Sequence, residues 1–278
     1  MDITIIGAGV AGLSAAIAAA QKGFRTVVLE RTPNLRAGPG ETLHPGAEAI
    51  FSTLGVHDAV EKNACGRPLG IAHNESETWR RKHFGQTKDQ AWRGYHIRRQ
   101  ALLEVFLTRA QELGVEVQFA EPVLNITTQT SKRTRITTRN KTFDSTWVIN
   151  ASAHTKATTH TIATDYDNAS PPLFVAYGYE TTTNKEEVAW PQFSLLPWGW
   201  SWRAALGDGE TAIVELYKSK ALLTTHKPQS FRTLDQNDAA RPFFTYLHAK
   251  HYAYNSFAQP AHCKHICISM RQAIICSE

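Results

Sequence analysis

Gly7-Ala8-Gly9-Val10-Ala11-Gly12, preceded by Ile3-Thr4-Ile5-Ile6 and followed by small residues as far as Ala20, is the stretch that decides the fold. It reads as a buried strand, a tight glycine turn and a helix, with Gly23 closing the helix and Thr26-Val27-Val28-Leu29 as the next strand. In a G-x-G-x-x-G turn the first glycine permits the bend and the second lets the backbone approach a pyrophosphate. The third allows helix and strand to pack closely. An anion then sits on the helix N-terminus, where unbonded N–H groups and the helix dipole favour negative charge. Glu30 ends the second strand, where a carboxylate accepts the hydroxyls of an adenosine ribose and repels a 2′-phosphate. NADP is therefore disfavoured, while FAD and NAD both remain.

Outward from this unit, 31–45 is a Pro/Gly-rich loop and Ala47 to Leu54 has helical spacing. Residues 68–94 are polar with weak strand signals. Arg99 to Leu113 reads as an amphipathic helix ended by Gly114, and 122–150 as a small antiparallel meander. Leu173 to Tyr179, Trp198 to Leu206 and Thr211 to Tyr217 are strand-like, with Gly207-Asp208-Gly209 turning between the last two. The expected fold class is α/β: a Rossmann-like nucleotide-binding βαβ domain with an additional antiparallel β-sheet domain, which the resemblance described below makes an FAD-binding domain and a substrate domain. Expected boundaries are 1–160 for the nucleotide domain, 161–238 for the sheet domain and 239–278 for an atypical tail.

Composition narrows the classes. The chain has 278 residues, 42% apolar and 20% charged, with 30 Lys plus Arg against 25 Asp plus Glu, which excludes disorder as the main state. Four cysteines do not make a disulfide scaffold. The net charge of +5 is dispersed, without the continuous basic stripe or module of a nucleic-acid binder. No run reaches the roughly 18–20 apolar residues of a membrane span. The first apolar stretch opens Met1-Asp2 and holds three glycines, unlike a signal peptide. A cytoplasmic protein without membrane or nucleic-acid partners is expected.

Three further segments carry chemistry. Gly40-Glu41-Thr42-Leu43-His44-Pro45 is a loop able to lie flat against a ring system, or else a capped helix start with Thr42 as the cap. Glu41 and His44 are its polar groups and weak catalytic candidates. Trp92-Arg93-Gly94-Tyr95-His96-Ile97 leads to Arg99 at the start of a helix, placed to meet a phosphate or ribose, or to be a solvated surface arginine. Trp198, Trp200 and Trp202 alternate and so share one face of a strand. That face serves either as a sheet core or as a wall for a flat substrate. His262, Cys263, His265, Cys267 and Cys276 lack a second paired-ligand knuckle, and no metal site is read from them.

Taken as a set, these motifs resemble the FAD-dependent monooxygenases and tryptophan-halogenase-like flavoproteins. They are most similar to flavoproteins of the LodB and QhpG type that mature tryptophylquinone enzymes, and the likeness covers residues 1–220. The resemblance implies FAD bound by Gly7, Gly9, Gly12, Glu30, Arg31 and Arg99, with the 40–45 loop beside the flavin. It implies Trp200 and Trp202 on the substrate side, and NAD(P)H or another reductase as electron source. The implied reaction uses molecular oxygen to hydroxylate an aromatic substrate, a tryptophan within a partner polypeptide being one such substrate. Halogenases of the family need a lysine near residue 70, and none lies between Lys62 and Lys82, so hydroxylation is the better reading. The family's Asp-Ala-[ST]-Gly stretch is here Asn150-Ala151-Ser152-Ala153, and its late Gly-Asp motif is missing. These departures, with the compositional break near 239, imply a truncated or frame-shifted C-terminus. The rival readings are an inactive remnant binding at most the ADP moiety, and an FAD-dependent halogenase or reductase of the same superfamily.

Overall fold

The computed structural model describes residues 1–36, 38–74, 78–130, 133–152, 173–181, 189–229, 232–233 and 265–267, which form two compact units. The first comprises the described parts of 1–36, 103–169 and 241–271, and the second those of 37–102, 170–240 and 272–278. The stretch 37–102 therefore belongs with the large sheet and not with the N-terminal βαβ segment.

The first unit is built on a parallel sheet of β1 (Ile3–Ile6), β2 (Thr26–Leu29), β8 (Glu116–Gln118), β12 (Trp147–Asn150) and β18 (His265–Cys267), in the order β18-β12-β1-β2-β8. β1 and β2 are buried along their whole length, as expected for strands covered on both faces. Helix α1 (Val10–Gln21) packs on β1 and β2, with Leu13, Ala16 and Ile17 fully buried. A three-stranded antiparallel meander of β9 (Val123–Thr130), β10 (Arg133–Thr138) and β11 (Thr142–Ser145) joins Ile126 and Ile136 to Ile6, Val27, Leu29 and Val148 in one apolar cluster. Thr4 Oγ1 and Ser145 Oγ meet at 2.5 Å within the protein.

Two readings are corrected here. The meander ends at β11, because Trp147–Asn150 joins the parallel sheet beside β1. A strand at 265–267 lies within the stretch read as tail, pairing in parallel with β12. The remaining tail residues, including His262, Cys263 and Cys276, lie outside the described residues, as does Ala153.

The second unit holds a seven-stranded sheet in the order β17-β13-β16-β15-β14-β5-β6. Its strands are β5 (Gly70–Asn74), β6 (Trp79–His83), β13 (Phe174–Thr181), β14 (Gln192–Leu196), β15 (Gly199–Ala205), β16 (Glu210–Tyr217) and β17 (Arg232–Thr233). A smaller sheet sets β7 (Tyr95–Ile97) between β3 (Glu41–Leu43) and β4 (Ala64–Gly66). Helices α2 (Ala47–Leu54) and α3 (His57–Asn63) follow β3, and α4 (Arg99–Glu112) follows β7.

Helix α5 (Lys220–His226) covers one face of the large sheet through Leu223, which clusters with Ala176, Ile213 and Tyr217. Trp198 belongs to this cluster and stacks flat on His226 at 4.2 Å. It sits in the two-residue turn between β14 and β15, so the alternation with Trp200 and Trp202 stops at Gly199 and Trp198 goes to the opposite face.

Ile5 lies fully buried on the central strand of the parallel sheet. Ile5→Ala is expected to lower unfolding free energy by about 2–5 kcal/mol, because the cavity adds to the lost transfer energy. Urea denaturation followed by far-UV circular dichroism measures this.

Candidate functional site

The glycines of the first turn divide by what demands them. A Cβ on Gly12 would lie 1.9 Å from the Gly7 carbonyl oxygen, so the contact of helix on turn excludes any side chain there. Gly7 has φ +104°, and its Cβ would meet the Ala151 carbonyl oxygen at 2.9 Å. Gly9 is different. Its backbone is extended (φ −78°, ψ 179°), which any residue adopts, and a Cβ there would meet nothing within 4 Å. Protein packing therefore gives no reason for a glycine at this position. The open space lies at the N-terminus of α1, whose first turn has no capping side chain and no acidic residue. This is a cradle for an anion that approaches the backbone closely, and it fits a dinucleotide pyrophosphate.

Glu30 is directed at the same turn. Its Oε2 accepts the Ala8 N–H at 2.9 Å, and its Oε1 accepts from Thr32 N–H at 3.0 Å and Thr32 Oγ1 at 2.8 Å. Three donors hold the carboxylate in place and leave acceptor capacity for a hydroxyl. Arg31 is exposed beside it. Asn150 Oδ1 accepts from Ser152 N–H at 3.1 Å and Ser152 Oγ at 2.7 Å. An amide oxygen thus closes the bend against Gly7, a task for which an aspartate oxygen is not needed.

In the second unit the structure gathers a different group. Glu41 opens β3, and Arg99 opens α4 after β7, so the β3–β7 pairing brings them together. Arg99 Nη1 donates to Glu41 Oε1, the two side chains being only 15% and 19% exposed. Arg99 is thereby tied to Glu41, and its stem packs so closely on Gly38 that a Cβ there would lie 2.8 Å from Cδ. Tyr179 from β13 donates its hydroxyl to the Gly38 carbonyl at 2.9 Å, and Leu206 fills the space beside Gly40. The loop around Gly38 and Gly40 is thereby held by three elements distant in sequence.

His44 Nδ1 accepts the Gly46 N–H at 3.1 Å, and its ring meets Phe84 edge-on at 5.1 Å. Thr42 does not cap α2; its hydroxyl bonds His96 Nδ1 at 2.9 Å across the strand pair. His96 is fully buried and its Nε2 has no partner among the described residues. Burial alone pushes its pKa down to about 3, so the ring is neutral. Sequence reasoning missed His96 and Tyr179. Alternation in Tyr95-His96-Ile97 puts His96 on the face opposite the apolar pair and gives no sign of its burial, and nothing near Tyr179 marks a bond spanning 141 residues.

Trp200 and Trp202 lie on the sheet face opposite α5. Trp202 is buried in a cluster with Ala204, Leu206 and Ala212, against Cys65. Burial pushes the Cys65 thiol up, away from the thiolate. Trp200 is half-buried, its ring 5.7 Å from that of Phe193 and tilted by 40°. On the other face Ala72, Trp79, Arg81, Trp190 and Gln192 line a cleft of about 290 Å³. No group of His, Cys, Asp and Glu suited to a metal ion occurs among the described residues, and no helix there is long and apolar enough to cross a membrane.

Residues 1–168 match the sequence profile of a family described as FAD binding domain. The chain is 31% identical over 116 residues to tryptophan 2-halogenase of Chondromyces crocatus, covering 41% of this chain and 22% of that protein. It is 25% identical over 234 residues to the flavin-dependent halogenase armH1 of Armillaria mellea, covering 76% and 44%. The chain thus spans less than half the length of these curated relatives. Among solved structures, p-nitrophenol 4-monooxygenase of Pseudomonas putida DLL-E4 superposes with a TM-score of 0.71 at 15% identity, over 84% of this chain and 66% of that one, a likeness of fold.

Two outcomes follow from the geometry of the second unit. Glu41→Gln is expected to cost about 1.5–3 kcal/mol of stability by leaving the Arg99 guanidinium without its charged acceptor. Chemical denaturation of Glu41→Gln, Arg99→Ala and the double variant should show strong coupling between them. His96 is held below its unfolded pKa of about 6.5. Its contribution is fully present above that pH and is lost as pH falls towards about 3, at up to about 1.4 kcal/mol per pH unit. His96→Gln should flatten this slope in the pH dependence of the unfolding free energy.

Proposed function

The chain belongs to the FAD binding domain family, and from that premise we propose that it serves as an FAD-dependent monooxygenase acting on an aromatic substrate. The observation that carries the cofactor assignment is Gly9, a glycine with an unstrained extended backbone and empty space where its side chain would be. In this reading the N–H groups opening α1 hold the pyrophosphate, and Glu30 accepts from the adenosine ribose with Arg31 beside it. The loop from Gly40 to Pro45 lies towards the flavin. Arg99 braces that loop through Glu41, the two side chains being 15% and 19% exposed, and the resemblance places it near the cofactor.

Bound FAD supplies two-electron redox chemistry and, once reduced, the reaction with molecular oxygen. The chain's own residues orient and exclude water. Trp200 and Phe193 offer an apolar seat for an aromatic ring, and buried Trp202 flanks it on the same face. NAD(P)H or a separate reductase supplies electrons. A tryptophan within a partner polypeptide is the finer reading of the substrate, supported by the likeness to the tryptophylquinone-maturing flavoproteins. Hydroxylation is favoured over halogenation because the stretch between Lys62 and Lys82 contains no lysine.

The visible absorption spectrum of the purified chain, before and after adding FAD, tests this. The expected result is a flavin spectrum that stays with the protein through gel filtration. A colourless protein that takes up no FAD removes the enzyme reading and leaves a remnant. Gly9→Ala should alter stability by no more than about 0.5 kcal/mol while cutting FAD uptake at least tenfold. Gly12→Ala should fail to fold or melt well below the parent. Equal FAD uptake by parent and Gly9→Ala would overturn the assignment of the cradle.

A further inference from the structure

The strand register of the large sheet sorts its side chains into two faces of different charge. Cα partners run Arg80–His73–Phe193–Trp202–Val214–Tyr177, one residue from each of six adjacent strands, so these side chains form a continuous row on one face. The row is cationic at its β6 end and aromatic in the middle. Lys82 and Ile71 lie beside it on the same face, two residues along β6 and β5. Among the described strand residues Glu210 is the one carboxylate on this face, and Arg98 bonds it at 2.5 Å. Glu180 and Glu215 are on the reverse face. Further along, this face carries Ala204 into the cluster with Leu206, the residue that fills the space beside Gly40. The aromatic-and-basic face is therefore the one that meets the 38–43 loop.

From this arrangement we propose that the aromatic substrate carries an anionic group on a short flexible tether. Its ring rests on Phe193 and Trp200, and its anion is received by His73 and Arg80. The proposal rests on the aromatic-substrate reading above, replaces its peptidyl-tryptophan form by an arylalkyl acid, and adds the charge of the ligand and the residues that select it. Adjacent strands are about 4.8 Å apart. His73 therefore lies one strand from the ring seat and Arg80 two, a span of about 5–10 Å. That reach suits an arylalkyl acid better than an acid group attached directly to the ring. Arg80 is exposed and His73 half-buried, so the imidazole meets the anion nearer the apolar wall and the guanidinium meets it at the rim. An amine-bearing analogue would meet like charge at Arg80 and Lys82.

The test titrates the full chain, saturated with FAD and also without it, with indole-3-propionate and with the neutral indole-3-propionamide, using calorimetry. The expected result is about tenfold tighter binding of the acid than of the amide, a preference that shrinks as salt is added. Arg80→Gln and His73→Gln should each reduce the preference while leaving amide binding unchanged, and the double variant should abolish it. Equal binding of acid and amide, failure of both probes to bind, or a preference that survives in the double variant overturns the proposal. FAD uptake, read separately by absorption, reports on the earlier reading alone, so the two failures are distinguishable.

Discussion

The first unit depends on one steric constraint, the approach of α1 to the turn that launches it. With the Gly12 Cα so near the Gly7 carbonyl that no Cβ fits, the start of the helix lies directly against the turn that ends β1. That approach fixes where β1 ends. It also places the Asn150–Ser152 bend against Gly7, because β12 pairs with β1 in register from Trp147 to Asn150. Glu30 is drawn in by the same geometry, since β2 lies on the other side of β1 and its end delivers a carboxylate to the Ala8 amide.

The second unit is organised by charge and apolarity instead. One face of its sheet is covered by α5 through Leu223, with Trp198 lying flat against His226. The other face is aromatic, with Phe193 and Trp200 half-exposed and Trp202 buried beside them. The loop at 38–41 is clamped from three directions, by Arg99 through Glu41, by the Tyr179 hydroxyl and by Leu206. A loop so fastened presents its backbone rigidly, which is what recognition of a flat ring system requires, because a mobile loop would lose entropy on binding.

How much of this was legible follows from the range of each signal. The strand–turn–helix at 3–21 was readable because its constraints are local: three glycines at fixed spacing and an apolar strand on one side. Glu30 was readable because a second strand follows at a short, stereotyped distance. The β5–β6 hairpin was harder, since β6 is a solvent-exposed edge strand of Trp, Arg, Arg, Lys and His without apolar alternation. The placement of Arg99 was open to two readings, and the pairing with Glu41 adds a contact that neither spacing nor helix position contains. The tryptophan alternation was read one residue too far, because a two-residue turn is invisible when aromatic residues continue through it.

The sequence by itself determined the βαβ unit, the glycine turn that opens its helix and the aromatic character of a later strand. All three rest on interactions between residues close along the chain, whose geometry is nearly the same wherever the pattern occurs. Only the tertiary structure decided that β5 and β6 join the large sheet and that Arg99 pairs with Glu41. It alone buried Trp202, sent Trp198 to the opposite face and aligned His73 and Arg80 with the aromatic row. Those outcomes depend on which strands pair and in which register, and register is set by the summed burial of whole faces, not by any one residue.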